Sequence, residues 1–188
     1  DRRVFITLTT AILVALAAAC LVGSTSIGPG RVLAALLGGA SPGDRVVVWE
    51  IRLPRAVAAL VVGVALGASG AALQGLLRNP LAEPGVLGVS ATAALGATFV
   101  IYYHLASVSG FALPVAAIAG ALAATALLTG AATRVGSVVT LILVGIGLSS
   151  FAGALMALLM NLAPHPFSLS DMLNWMLGTV ANRSFDDL

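Results

Sequence analysis

A chain of 188 residues that is 60% hydrophobic and only 9% charged, with a mean hydropathy of +1.09, departs from soluble domains, in which roughly a quarter of residues are charged. Its nine arginines oppose seven acids for a formal charge of +2, too weak and too scattered to suggest a nucleic-acid partner. The single cysteine, Cys20, excludes an intramolecular disulfide and a cysteine-based metal cage. The composition reads as an all-α, polytopic transmembrane helical bundle, with 21 glycines and long alanine runs suited to helices packed closely in lipid.

Charge-free stretches set the organisation. The first covers residues 4–23, behind Arg2 and Arg3. Ala17-Ala18-Ala19-Cys20 faintly resembles a lipoprotein cleavage site, but the stretch outruns an ordinary signal-peptide core and four more follow it, so it reads as span one. Residues 24–55 form the long polar segment. Within it Pro29 precedes an apolar stretch, 31–37, closed by Gly38-Gly39, the Pro-first, Gly-last pattern of a short interfacial helix. Ser41-Pro42-Gly43-Asp44 is a turn, Trp49 suits the headgroup region, and Pro54 fits the first turn of span two.

Spans two to four are expected at 56–77, 86–103 and 111–133. A fifth charge-free stretch, 135–163, is expected to be helical from about 138 to 162. Each reaches the roughly 20 residues that cross about 30 Å of hydrocarbon, the third being the shortest. The alternating segments of a β-barrel are not present. The expectation is five spans, which puts the chain ends on opposite sides. After them Leu169, Met172, Leu173, Met176 and Val180 repeat at helical spacing, so 168–180 reads as an amphipathic helix. Ser184, with Asp187 three residues on and Asp186 beside it, resembles a capping box opening another helix. That feature at the chain end, and a chain that opens at Asp1 rather than Met, suggest a piece of a longer protein.

The span cores carry no Asp, Glu or His, the groups an ion-coupled carrier uses as relay or counter-charge. Gln74 in span two and Asn161 at the end of span five are the notable polar side chains, and no channel filter is visible. Two stripes of small residues recur every four positions: Gly63, Gly67, Ala71 and Gly75 in span two, and Gly145, Ser149, Gly153 and Ala157 in span five. Each reads either as a helix-packing face or as a face that gates a pathway. The loop at 78–85 is stiffened by Pro80 and Pro84. Glu83 in it reads as a helix cap, a partner for Arg78, or plain surface charge. Arg52 and Arg55 read as snorkelling interface anchors or an exposed docking pair. His104 and His165 stand alone at span ends and imply no metal or haem site.

Taken in order, Arg52-Leu53-Pro54-Arg55, Gly70-Ala71-Ala72-Leu73-Gln74-Gly75, the block from Arg78-Asn79-Pro80-Leu81-Ala82-Glu83-Pro84-Gly85 through Gly88-Val89, and Trp175-Met176-Leu177-Gly178 resemble the FecCD-type permeases. These are membrane subunits of ABC importers for iron-siderophores, haem and cobalamin. Asn79, Pro80, Glu83, Pro84 and Gly88 carry the most specific part of the match.

The resemblance implies about ten spans built as two inverted five-helix repeats, of which this chain matches the first. It further implies a homodimer with the pathway at its axis, two cytoplasmic ABC ATPases below, and a periplasmic or surface substrate-binding protein above, all in the bacterial cytoplasmic membrane. On that reading the chain is a non-catalytic subunit with no cofactor, in contact with lipid and with a metal-chelate substrate. Span five, with Gly145, Ser149 and Gly153, would line the pathway, and Arg52 and Arg55 would meet acids on the binding protein.

The implied orientation puts the N-terminus and the 79–85 loop in the cytoplasm and 24–55 outside. Arg2, Arg3, Arg78 and Arg134 are then inside, against Arg31, Arg45, Arg52, Arg55 and Arg183 outside. The positive-inside rule gives that orientation no support, and the docking role explains the outer excess. The alternatives are an ion-coupled secondary transporter, which the missing membrane carboxylates oppose, and a non-transporting membrane scaffold.

Overall fold

The computed structural model describes residues 2–135 and 137–187, which are helical with no strand among them. They divide into two compact units. The first runs to Ala65 and resumes at Val180, and the second covers Leu66–Thr179.

The first unit opens with α1 (Arg2–Leu21). Pro29 starts α2 (Pro29–Leu36) without wasting a backbone donor, and Ser41 caps the single turn α3 (Pro42–Arg45), its side chain accepting from the Asp44 N–H. Arg31 grips Asp44 at both carboxylate oxygens, Nε to Oδ2 at 2.8 Å and Nη2 to Oδ1 at 2.6 Å. Trp49 Nε1 donates to the Ala35 carbonyl at 3.0 Å, satisfying an acceptor that the end of α2 leaves open. Between these two ties Ile27, Val32, Ala35 and Val48 form a small core, with Cys20 and Val47 against it.

The helix that contains the expected span two starts much earlier than the charge-free stretch. α3 runs into a π-helical stretch, Val46–Arg52, and then into α4 (Leu53–Leu77), so Pro42–Leu77 is one helix of 36 residues. Pro54 therefore lies inside a helix and not at its start. The wider turn before it accommodates a ring that brings no N–H and would collide with the carbonyl four residues back, and the Leu53 N–H accordingly bonds to Val48 O, five residues back.

In the second unit α5 (Val89–Tyr102) is the central helix, packed by α6 (Ala112–Val135), α7 (Val138–Asn161) and α8 (Pro166–Leu177). Ala97, Thr98 and Val100 of α5 are buried. The α5–α6 seam is a backbone-to-backbone contact. A Cβ on Gly96 would lie 2.3 Å from Ala116 O, and one on Gly120 would lie 2.2 Å from Thr92 O. Neither glycine belongs to the two stripes read from the sequence.

The third span needs correction. Among the described residues four helices are long and apolar enough to cross a membrane: α1, the Pro42–Leu77 helix, α6 and α7. α5 has 14 residues, about 21 Å of rise against about 30 Å of hydrocarbon. Pro84–Leu87 of the expected span is a 3₁₀ turn, and Gly88 at φ +78° separates it from the helix. At the other end His104, also left-handed at φ +55°, stops it. The amphipathic helix ends at Leu177, three residues early, because Gly178 takes φ +71°. Phe185–Asp187 is a 3₁₀ turn. The capping role expected of the Asp187 side chain, and both chain ends, lie outside the described residues.

Candidate functional site

The loop Asn79–Gly88 is built from short-range bonds. Arg78 turns left-handed at φ +48°, and the Asn79 N–H bonds back to Gln74 O at 3.2 Å. The Asn79 side chain accepts from the Leu81 N–H at 2.9 Å while Ala82 N bonds to Asn79 O, an Asx turn with Pro80 in its corner. Glu83 is extended and makes no cap hydrogen bond, nor does it pair with Arg78. The ion pair recorded among the described residues is Arg31–Asp44. The Glu83 carboxylate lies instead over Gly85, whose Cβ would come 3.1 Å from Glu83 Oε1.

Gly88 is the pivot. Its backbone bends into the left-handed region, and its carbonyl accepts both the N–H and the hydroxyl of Thr92, at 3.0 Å each, so α5 starts immediately after the bend. A Cβ on Gly88 would stand 2.9 Å from Gly145 O and 3.0 Å from Ser149 N. One on Gly145 would stand 2.7 Å from Leu87 Cα and 3.0 Å from Val86 O. Two segments that the sequence offers separately, the proline-rich loop and the small-residue stripe of α7, thus meet backbone to backbone.

The meeting point is deep. Gly145 and Ser149 lie 7 and 11 residues past the start of α7 at Val138, about 10 and 16 Å along it. Irregular backbone beside an apolar helix keeps its polar groups covered only where protein packs on it. Here α7 covers one side, with a glycine where any side chain would push the turn away. The free N–H groups of the first turn of α5 open at the same level, and the Ser149 hydroxyl beside them is closed to solvent without a hydrogen-bond partner. The rest of the stripe behaves differently. Nothing lies within 4 Å of a Cβ on Gly147, Gly153, Gly63, Gly67 or Gly75, so among the described residues Gly153 faces open space and does not belong to this seam.

The arginine pair departs from expectation as well. Arg52 is 6% exposed. Its Nη1 donates to Cys20 O at 2.8 Å and Leu21 O at 2.9 Å, and its Nη2 to Thr25 O. The Cys20 and Leu21 carbonyls are ones that the end of α1 leaves unpaired, at the negative pole of its dipole, and Thr25 lies in the segment just beyond it. Gly23 leaves room for the guanidinium, since a Cβ there would lie 3.0 Å from Nη2. Arg52 is therefore a clamp on α1 and not half of an exposed pair. Arg55 is half-buried, with Nη2 3.5 Å from Asn182 Oδ1 and Nε enclosed without a partner.

The histidines are not isolated either. Packing of α5 on α8 brings the rings of His104 and His165 to 6.1 Å, a pairing that 60 residues of separation hides. No group of three or more metal-ligating side chains occurs among the described residues.

Four apolar helices of spanning length among the described residues define a polytopic membrane protein. The model of the FecCD transport family matches residues 10–188, and the chain belongs to that family. It is 43% identical over 144 residues to the uncharacterized ABC transporter permease protein YvrB of Bacillus subtilis (strain 168), covering 74% of this chain and 40% of that protein. It is 42% identical over 144 residues to the vitamin B12 import system permease protein BtuC of Salmonella paratyphi A, covering 73% and 44%. Among solved structures, a metal-chelate type ABC transporter in an inward-facing conformation superposes with a TM-score of 0.83 at 27% identity, over 99% of this chain and 56% of that one. The chain thus spans less than half the length of these curated relatives.

Proposed function

We propose that the chain is the first repeat of a permease subunit in an ATP-driven ABC importer for a metal-chelate of the ferric siderophore, haem or cobalamin class. The observation that supports this reading is the Gly88 turn seated on Gly145 and Ser149, within a chain that the FecCD transport family matches over residues 10–188. A discontinuous segment offers backbone polar groups to a passing solute without a charged side chain. Such groups suit a route that must admit a large polar chelate without holding it tightly.

The open face of α7 carrying Gly153 then lines the pathway near the axis of a homodimer, and the Gly145/Ser149 seam is the contact that α7 slides on or tilts against. The second repeat, a cytoplasmic ATPase dimer and a soluble binding protein complete the machine in the bacterial cytoplasmic membrane. ATP hydrolysis belongs to the ATPase, and the subunit itself performs no chemistry. Arg55 contributes to binding-protein docking on the outer side, and Arg52 fixes the helix turn that presents it. Rim charges of this kind steer encounter more than they add affinity.

The test is uptake in proteoliposomes holding the full-length protein, its ATPase and its binding protein. The expected result is uptake that needs ATP and persists when ion gradients are collapsed. Uptake driven by a gradient without ATP would replace this reading with a secondary carrier.

A further inference from the structure

We propose that His104 and His165 form a two-imidazole site for a borderline divalent transition-metal ion, Cu²⁺, Ni²⁺ or Zn²⁺, which ties the end of α5 to the start of α8. The proposal is independent of the transport reading: the ion is a hydrated metal held by the protein and not cargo of the pathway.

Distance comes first. Metal–nitrogen bonds to imidazole run about 2.0–2.1 Å and a ring nitrogen stands about 1.1 Å from its ring centre, so the ion sits about 3.2 Å from that centre. Two rings that share one ion are then about 5.2 Å apart at a tetrahedral angle, and about 6.4 Å apart when they face each other across it. His104 and His165 stand at 6.1 Å, inside that interval. Both residues are exposed, so rotation about their side-chain bonds aims the nitrogens at an ion without disturbing the packed helices.

The backbone fixes where each ring starts from. His104 is left-handed at φ +55°, with its N–H bonded to Ile101 O at 3.1 Å. Its carbonyl accepts from Ser107 N at 3.2 Å and Ser107 Oγ at 2.6 Å. His165 is extended at φ −142° and ψ 148°, the conformation that a following proline, here Pro166, imposes. Packing of α5 against α8 brings these two held positions together. Only side-chain rotamers are left to order when an ion arrives, which lowers the entropic cost of binding.

The rings are also free to ligate. The recorded ring contact of each is the other imidazole, and among the described residues no carboxylate pairs with either, the recorded ion pair being Arg31–Asp44. Imidazole nitrogen suits copper, nickel and zinc, whereas magnesium and calcium take oxygen ligands. No third metal-ligating side chain joins the pair among the described residues, so water fills the remaining positions. Affinity should then be highest for Cu²⁺.

The experiment uses the full-length permease, purified on a tag without histidine, stripped with a chelator and titrated calorimetrically with CuCl₂, NiCl₂, ZnCl₂ or MgCl₂. One Cu²⁺ site per chain should be lost in His104→Asn, in His165→Asn and in the double variant alike, because either change removes half of the donor pair. MgCl₂ should not compete for that site. Asparagine tolerates the left-handed backbone at 104 and caps a helix well at 165, so both variants should keep the fold. Bound Zn²⁺ should raise the unfolding temperature of the unaltered protein and lose that effect in each variant. An unchanged stoichiometry in the variants overturns the proposal. So do losses that add in the double variant, which would mean that each ring takes an ion by itself. Metal-dependent association of chains that either variant abolishes also overturns it, since the two rings would then serve different copies. Should an asparagine variant not fold, the glutamine variant at the same position takes its place.

Discussion

The seam between Gly88 and α7 can be tested by adding one methyl group. In Gly145→Ala the new Cβ would sit 2.7 Å from Leu87 Cα, 3.0 Å from Val86 O and 3.1 Å from Leu87 C. Ordinary carbon contacts lie at about 3.5–4.0 Å, and all three neighbours are backbone, which cannot rotate aside. The turn and α7 must part by about 1 Å. Overpacking of this size costs about 1–3 kcal/mol, and the better helix propensity of alanine returns about 1 kcal/mol.

The control is Gly147→Ala on the same helix, where no atom lies within 4 Å of the new Cβ and only the propensity gain of about 1 kcal/mol operates. The two variants should therefore differ by about 2 kcal/mol, since the strain is specific to position 145. Reversible unfolding of the full-length protein in mixed micelles reads the difference, and ATP-dependent uptake reads the consequence, with Gly145→Ala alone impaired. Equal stability of the two variants would refute the argument, because it would mean that the close approach does not exist.

Further expectations follow from the same geometry. Gly96→Ala and Gly120→Ala should each destabilise at least as much as Gly145→Ala, since their new methyls meet carbonyl oxygens at 2.3 and 2.2 Å, and the same unfolding assay checks this. Arg52→Ala should uncap α1 and lower stability by about 2 kcal/mol, the scale of charge-assisted bonds to buried acceptors, while exposing the 20–25 segment to proteolysis. Ser149→Ala removes a hydroxyl with no partner, so stability should hold or rise by about 1 kcal/mol, measured by the same unfolding. Gly153→Leu, on the open face, should leave unfolding unchanged and reduce uptake; normal uptake would remove Gly153 from the pathway. Arg55→Glu should slow binding-protein association and flatten its salt dependence, read by surface-bound kinetics at several ionic strengths.

Much of the molecule is legible in one dimension because lipid imposes a one-dimensional rule: a helix that crosses it must be apolar over its length. Charge-free stretches therefore located α1, α6 and α7 to within a few residues, Pro29 and Gly38-Gly39 bracketed α2, and the Asn79–Gly88 block pointed to the family. The helix of the third span is shorter than its apolar stretch and that of the second longer, because hydropathy does not register backbone angles. Val86 and Leu87 are as apolar as the helix after them, but Gly88 takes a left-handed φ and leaves α5 short. Pro54 looks like a helix start, but a π-helical turn carries the helix through it.

Only the tertiary structure decided which small residues are contacts. Periodicity cannot separate Gly145, pressed on a turn, from Gly153 eight residues on, because that depends on what packs opposite. Gly96 and Gly120 lie outside both stripes and yet hold the closest seam. Arg52 looked like a surface charge for the same reason. The carbonyls that bury it belong to residues 27–32 positions earlier, and chain folding brings donor and acceptors together where sequence spacing cannot.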